Sequence, residues 1–317
     1  TSRPIDESLV RDLLTQQHPD LASLPIGPAT SGWDNAVFPL GDRLAVRLPR
    51  RTESVPLIAN EQRWLPILEQ HLPLPIPVPL RTGTPGAGYP WPWSICPWLP
   101  GEPATTTRPE DLVQTARRLG AFIGALQQPA PPEAPVNPYR GIALALRTPR
   151  LHEALGRVGR TSQRLPPARA DQIVDRWNQL VDTRAWDGPP LWLHGDLHPA
   201  NLLIHQGALC AVIDFGDVSS GDPATDLAVG WMLLDGPGRD ELRRAVGTVD
   251  DDTWKRAEGW ALALSVAYLD GSPDGSPMLD VAVRTLSAVL DDSKAAVAAG
   301  DELPVDRTPT AGTHPAA

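Results

Sequence analysis

Between Leu191 and Gly216 the chain reads LWLHGDLHPANLLIHQGALCAVIDFG, and this stretch leaves few ways to fold. Two short apolar runs, Leu202–Ile204 and Leu209–Ile213, flank Gln206-Gly207. Glycine reaches positive φ at little cost, so the pair reads as the turn of a β-hairpin. A hairpin there brings its entry, Asn201, beside its exit, Asp214, with Asp196 on a loop just ahead. Two carboxylates and a carboxamide converging at one end of a hairpin suit a hard cation such as Mg²⁺, which takes oxygen ligands and leaves room for waters and phosphates. A carboxylate beside the ion can orient a hydroxyl and accept its proton.

The D-x-x-x-x-N spacing followed by D-F-G is the phosphoryl-transfer arrangement of protein kinases. Here Gly195 stands where kinases carry the Arg of H-R-D. With that variant, the strings HGDLHPANLL and IDFGD resemble the aminoglycoside phosphotransferase family of small-molecule kinases. The resemblance covers roughly residues 20 to 295, with dense motifs only from His194 to Ala228. It implies an α+β, bilobal protein-kinase-like fold: a small antiparallel sheet with one helix, then a mostly helical lobe. The expected divisions are 1–96 for the nucleotide lobe, 97–101 for a hinge, 102–299 for the catalytic and acceptor lobe, and 300–317 for a disordered tail. The implied reaction moves the γ-phosphate of ATP or GTP to a hydroxyl of a small molecule. Asp196 is the catalytic carboxylate, and Asn201 and Asp214 hold Mg²⁺. An antibiotic such as an aminoglycoside is the leading acceptor; an amino alcohol or sugar is the alternative, and a nucleotide-binding pseudokinase is disfavoured because all three positions are filled.

The first third of the chain supplies the nucleotide side. Asp6 to Gln17 carries a helical stripe of Leu9, Val10, Leu13 and Leu14 behind an N-capping Asp6. The turn around Ser31, Gly32 and Asn35 precedes a strand, RLAVRL, and a small-residue turn can lay free N–H groups over phosphates. The kinase arrangement places a Lys on the third strand, paired with a Glu on the next helix. The chain has only two lysines, Lys255 and Lys294. Arg47 occupies the matching point and Glu61 the helix, which is expected to start there and run to Gln70, with Pro66 starting a first turn or kinking it. Arginine can serve, since its fork offers two donors to phosphate or carboxylate. LPLPIPVPL from Leu72 to Leu80 alternates proline too densely for helix or central strand and reads as an extended connector. The lobe connection falls at Cys96–Pro100, where the Pro97 carbonyl and the Leu99 N–H are the candidates to meet adenine.

Further on, Pro109–Gln127 and Asp171–Trp186 read as helices, and the basic run from Arg140 to Arg164 as a solvated, partly helical insertion. Gly221–Asp226 reads as a helix start, and the family's GDP-x-x-DLA string, matched here, implies that Asp226 braces the metal loop. Helices at Trp254–Leu269 and Met278–Leu290 follow. The resemblance implies acids there for acceptor amines, with Asp235, Asp270, Asp274 and Glu258 available.

Rival chemistries fit less well. His194, His198 and His205 invite a zinc site, but Gly195 and Pro199 oppose the helix that would align them. Asp196-x-His198 opens a metallophosphoesterase pattern that the chain does not continue. The formal net charge of -10 opposes a nucleic-acid partner and suits a cationic acceptor. Two cysteines, Cys96 and Cys210, sit in apolar runs and read as buried free thiols of a reducing compartment. With no bilayer-length apolar run and no signal-peptide pattern at the start, a cytoplasmic monomer or homodimer is expected.

Overall fold

The computed structural model describes residues 4–32, 34–161 and 165–300. The expected tail lies, past Gly300, outside the described residues. The chain forms an α+β, bilobal kinase-like fold. Helix α1 (Glu7–Gln17) starts where expected, the Asp6 carboxylate accepting the Leu9 N–H at 2.9 Å. Strands β1 (Thr30–Ser31), β2 (Asn35–Leu40) and β3 (Leu44–Pro49) lead into α2 (Val55–Leu68), then β4 (Arg81–Gly83) and β5 (Trp93–Pro97). They make an antiparallel sheet of order β1-β2-β3-β5-β4, in which Arg47 lies between Val37 and Ser94. One core joins α1 to this sheet through Leu9, Leu13, Phe38, Val46, Trp93 and Ile95.

Helix α2 begins six residues before the expected Glu61. Pro56 sits in its first turn, where a missing N–H costs nothing, so Glu61 falls mid-helix. Pro66 neither starts nor ends the helix; it lies in the final turn and removes one i→i−4 bond there. The proline-rich connector is extended as expected, and Leu74, Ile76 and Val78 insert into the second, larger core. Trp64, Leu65 and Leu68 of α2 join that core as well, so the helix bearing Glu61 packs towards the larger lobe.

The larger lobe opens with β6 (Glu102–Pro103) and α3 (Leu112–Leu126), whose N-cap is Asp111. Helices α4 (Thr148–Thr161) and α5 (Pro167–Val181) follow. The second helix starts before Asp171 and stops short of Trp186, because Pro166-Pro167 sets its first turn. The segment expected to be a solvated insertion is instead core-facing. Leu144, Leu151, Leu155 and Val158 are all buried, four apolar positions at helical spacing that basic neighbours masked in the sequence. Strand β7 (Leu191–Leu193) pairs with β10 (Ser219–Gly221), while β8 (Leu202–His205) and β9 (Ala208–Val212) form the hairpin, extended by β6. Short helices α6 (Ala224–Leu227) and α7 (Val229–Leu233) precede α8 (Gly236–Val246), α9 (Asp251–Gly271) and α10 (Pro277–Gly300). Helix α9 runs through the middle of this lobe with Trp254, Trp260, Leu264 and Leu269 buried. Among the described residues, no helix is long and apolar enough to cross a membrane.

Candidate active site

The hairpin turns at Gln206 and Gly207, with φ of 50° and 75°, the double positive φ that favours glycine at the second position. Its open end is closed by the Ile213 N–H, which donates to the Asn201 carbonyl at 2.9 Å. Entry and exit are therefore neighbours, as the spacing predicted. Asp214 adopts a left-handed conformation (φ 63°), which turns the chain out of β9, and its side chain is 58% exposed. The Asn201 amide nitrogen donates to the Asp196 carbonyl at 2.9 Å. With that end committed, Oδ1 is the free ligand, and no donor engages it among the described residues. An amide oxygen and an exposed carboxylate at adjoining positions fit Mg²⁺, which takes oxygen donors and keeps part of its shell open.

The loop carrying Asp196 is fixed from behind. The N–H groups of His194 and Gly195 donate to the two oxygens of Asp226, at 2.7 and 2.9 Å. Burial pushes the Asp226 carboxyl up, against the pull of His194 and the two amides. His194 is buried and its Nε2 lies 2.9 Å from the Ile213 carbonyl, so it ties loop to hairpin and holds no metal. Gly195 has φ 84°, and a Cβ there would collide with the Asp217 carbonyl oxygen. This explains glycine in H-G-D: both the backbone angle and the space exclude a side chain.

Asp196 itself is gripped twice. Arg140 Nη2 lies 3.0 Å from Oδ1, and His198 Nε2 lies 3.2 Å from Oδ2. Burial alone would push the carboxyl up, but His198 and Arg140 outweigh it by charge and hydrogen bonding. They hold Asp196 well below the usual carboxylate range. Neither contact was visible in the sequence, although His198 was in view as a zinc candidate; Arg140 comes from the supposed insertion. A second carboxylate, Asp217, accepts from Asn137 Nδ2 at 2.6 Å; burial and then Asp196 push it up.

On the nucleotide side the Arg47–Glu61 pair is formed, Nη1 to Oε1 at 2.9 Å, with both side chains almost fully buried. Burial opposes the Arg47 cation, but Glu61, Cys96 and Asp214 bind its proton more tightly than usual. Arg47 Nη2 also stands 3.6 Å from Asp214, and the Phe215 N–H supports Glu61. One chain of contacts thus runs from the small sheet through α2 to the turn at Asp214.

The cover turn departs from expectation. The Gly32 N–H is spent on the Asn35 carbonyl at 3.0 Å, so it is not free for phosphate. Asn35 is buried, with its Oδ1 unpartnered. The Ser31 backbone pairs with Ala36. At the lobe connection Pro97 pairs across from Leu44, the Trp98 N–H donates to the Arg43 carbonyl at 2.7 Å, and Leu99 is half-buried. Three of the acids considered for acceptor amines are occupied. Asp235 caps α8, Asp270 pairs with Arg157 at 2.8 Å, and Glu258 pairs with Arg176 at 2.6 Å. Both cysteines are free; Cys96 is buried and Cys210 only half-buried, its Sγ 3.2 Å from the Pro100 carbonyl.

A profile of the phosphotransferase enzyme family matches residues 26–260, which spans both lobes and every motif above. The chain belongs to that family, and with it to the kinase-type enzymes. Among solved structures, the GDP complex of wild-type aminoglycoside 2'-phosphotransferase-IIIa superposes with a TM-score of 0.68 at 21% identity. That match covers 91% of this chain and 99% of the other. The apoenzyme of macrolide 2'-phosphotransferase MphH from Brachybacterium faecium gives 0.57 at 22% identity, over 96% and 100% of the two chains. Identities this low carry the fold alone. A curated relative, the uncharacterized protein YcbJ of Bacillus subtilis (strain 168), is 29% identical over 101 residues. The match spans 30% of this chain and 32% of that protein's length.

Proposed function

We propose that this protein transfers the γ-phosphate of ATP or GTP to a hydroxyl of a small molecule, with residues 1–96 as nucleotide lobe, 97–101 as hinge and 102–299 as acceptor lobe. The observation that supports this reading is the closed hairpin base, which makes Asn201 and Asp214 neighbours along the backbone, with Asn201 bonded to the carbonyl of the doubly held Asp196. Asn201 and Asp214 are the Mg²⁺ ligands, and the ion supplies charge neutralisation at the phosphates when bound. Arg47, fixed by Glu61, binds phosphate oxygens, and the fork of a guanidinium matches them. The backbone of Ser31 and the Asn35 side chain, more than the Gly32 N–H, cover the nucleotide, and the Pro97 carbonyl and Leu99 N–H meet the base. Asp196 orients the acceptor hydroxyl. A carboxylate held this far down is a weak proton acceptor, so it takes the proton late, as the oxygen–phosphorus bond forms.

An antibiotic with a free hydroxyl is the favoured acceptor, because the chain shares its fold with proteins named for phosphorylating aminoglycosides and macrolides. A cytoplasmic setting, where nucleotide is supplied, belongs to the same reading. The test is Asp196→Ala assayed for phosphoryl transfer from ATP and GTP across antibiotics and metabolite alcohols, with nucleotide affinity measured alongside. Transfer is lost and affinity kept if the reading holds; near-normal turnover refutes it. Asp214→Ala must weaken Mg²⁺-dependent nucleotide binding. Arg47→Ala must cost triphosphate more than adenosine.

A further inference from the structure

Beside Asp196 the larger lobe carries cations where polycation-binding acids were expected. Arg147, immediately before α4, is 6% exposed; its buried Nε–H has no partner, and among the described residues no ion pair engages it. Its nearest compensation is the face of Trp260, with the guanidinium carbon 5.4 Å from the ring centre. A largely buried guanidinium without a counter-charge is costly, because its Nε–H has left water with nothing in exchange. Burial, and then Arg140 and Arg150, push its pKa down to about 10, the behaviour of a cation missing its counter-charge.

Other donors around it share the condition. The Trp260 Nε1–H and the Tyr268 hydroxyl are buried and unpartnered, as is the Arg140 Nε–H. Trp260 and Tyr268 lie two turns apart on one face of α9. Tyr268 links the two ends of the cluster: its ring meets His198, the partner of Asp196, at 5.7 Å, and it feels the charges of Asp196, Arg140 and Arg147 together. Arg147 and Arg150 line a cleft of about 250 Å³ between α4 and α9. Of the acids in that cleft, Asp270 pairs with Arg157 at 2.8 Å and the exposed Glu153 stands 4.0 Å from the same arginine, so three arginines there face two acids. By contrast, the cleft around Trp231 holds a satisfied pair, Arg239 with Asp292 at 2.7 Å, and offers no comparable vacancy of charge.

We propose that the cleft between α4 and α9 binds an anionic oxygen group of the acceptor, a carboxylate or phosphoryl, with Arg147 as its principal contact and Arg150 beside it. The acceptor is then a hydroxylated molecule that also bears negative charge, which narrows the antibiotic reading to acidic compounds and away from polycationic aminoglycosides. Calling the ligand the acceptor rests on the phosphotransferase reading; the anion site itself does not. The overall charge of -10 therefore misleads locally, since field at a site is set by the groups facing it.

The experiment is NMR of the full chain carrying ¹⁵N-arginine, with the Arg147 Nε–H resonance assigned by its disappearance in Arg147→Met. Acetate and methyl phosphate are titrated separately, against sodium chloride at equal ionic strength, and the larger response tells carboxylate from phosphoryl. The expected result is a saturable shift of the Arg147 resonance by at least one probe. Arg147→Met should weaken binding of that probe, read by calorimetry, by about tenfold or more. If the methionine variant does not fold, Arg147→Lys serves, since it keeps the charge but loses the fork and must still weaken binding severalfold. An Arg147 resonance that neither probe moves, a shift that chloride reproduces, or unchanged binding in the variants overturns the proposal. Mg·ATP and Mg·GTP are titrated in parallel on the Arg47 resonances. If these stay still while Arg147 responds, the phosphotransferase reading falls and the anion site stands.

Discussion

The hairpin Leu202–Val212 and the segment from Asn137 to Arg147 meet at one carboxylate, yet they are written into the chain in different ways. The devices that shape the hairpin's two ends are local: Gln206-Gly207 makes the turn, Ile213 closes on Asn201, and Asn201 reaches Asp196 five positions back. The other segment acts at a distance. Arg140 finds Asp196 across 56 positions and Asn137 finds Asp217 across 80. The first region has a fixed chemistry that short-range geometry can enforce. The second sets what may sit beside that chemistry, and only packing of the whole lobe defines it.

Five substitutions sharpen or break this contrast. Asp196→Asn, at the junction of the two regions, should lower kcat by about 10²–10⁴ while nucleotide affinity holds. Asp226→Ala leaves two buried N–H groups without an acceptor and should cost about 2–4 kcal/mol in urea unfolding. If it costs nothing, the loop carrying Asp196 is held by something other than Asp226. Arg140→Met should lower kcat/KM by about 10–100-fold, the scale of a lost charge-assisted hydrogen bond, with stability changed little because Arg140 already holds an unpartnered Nε. An unaffected rate would make the distant segment mere scaffolding.

Arg147→Met should raise stability of the ligand-free protein by about 1–2 kcal/mol, because it removes a buried, unmatched cation. The sign can be checked by pH. The folded pKa, about 10, lies below the unfolded value, so the unfolded chain binds more protons between the two and the wild type gains stability as pH rises through 10. The advantage of the variant, measured by thermal unfolding, should therefore be full below pH 10 and shrink above it. Smallest is Gly207→Ala, which must hold a positive φ and push against Glu110; about 1 kcal/mol is expected, with activity kept. A larger activity loss would mean the turn does more than set the register.

The same contrast explains what was legible before any coordinates. The hairpin and Asp6 as a cap follow from patterns within one or two elements, and the Arg47–Glu61 pair from the kinase resemblance. Asp226 as the brace was legible too, through the family's GDP-x-x-DLA string. What was lost needed tertiary knowledge. Alternating arginines hid the apolar stripe of α4, and Pro66 looked like a boundary because its place in the final turn depends on where α2 begins. The Gly32 N–H looked available because its bond to Asn35 forms only once β1 and β2 pair. The occupied acids Asp270 and Glu258 looked free for the same reason, their arginines lying 113 and 82 positions away.

Arginine at position 47 has a practical consequence for anyone labelling this protein. Covalent probes that mark kinases by acylating or sulfonylating the amine of the strand lysine find no such nucleophile here, since the first 254 residues contain none. Amine-coupling reagents are instead directed to Lys255, 59% exposed on α9, and to Lys294. Tethering to a sensor surface through Lys255 attaches the protein by α9, whereas chemoproteomic screens built on capture of a strand lysine pass this enzyme by.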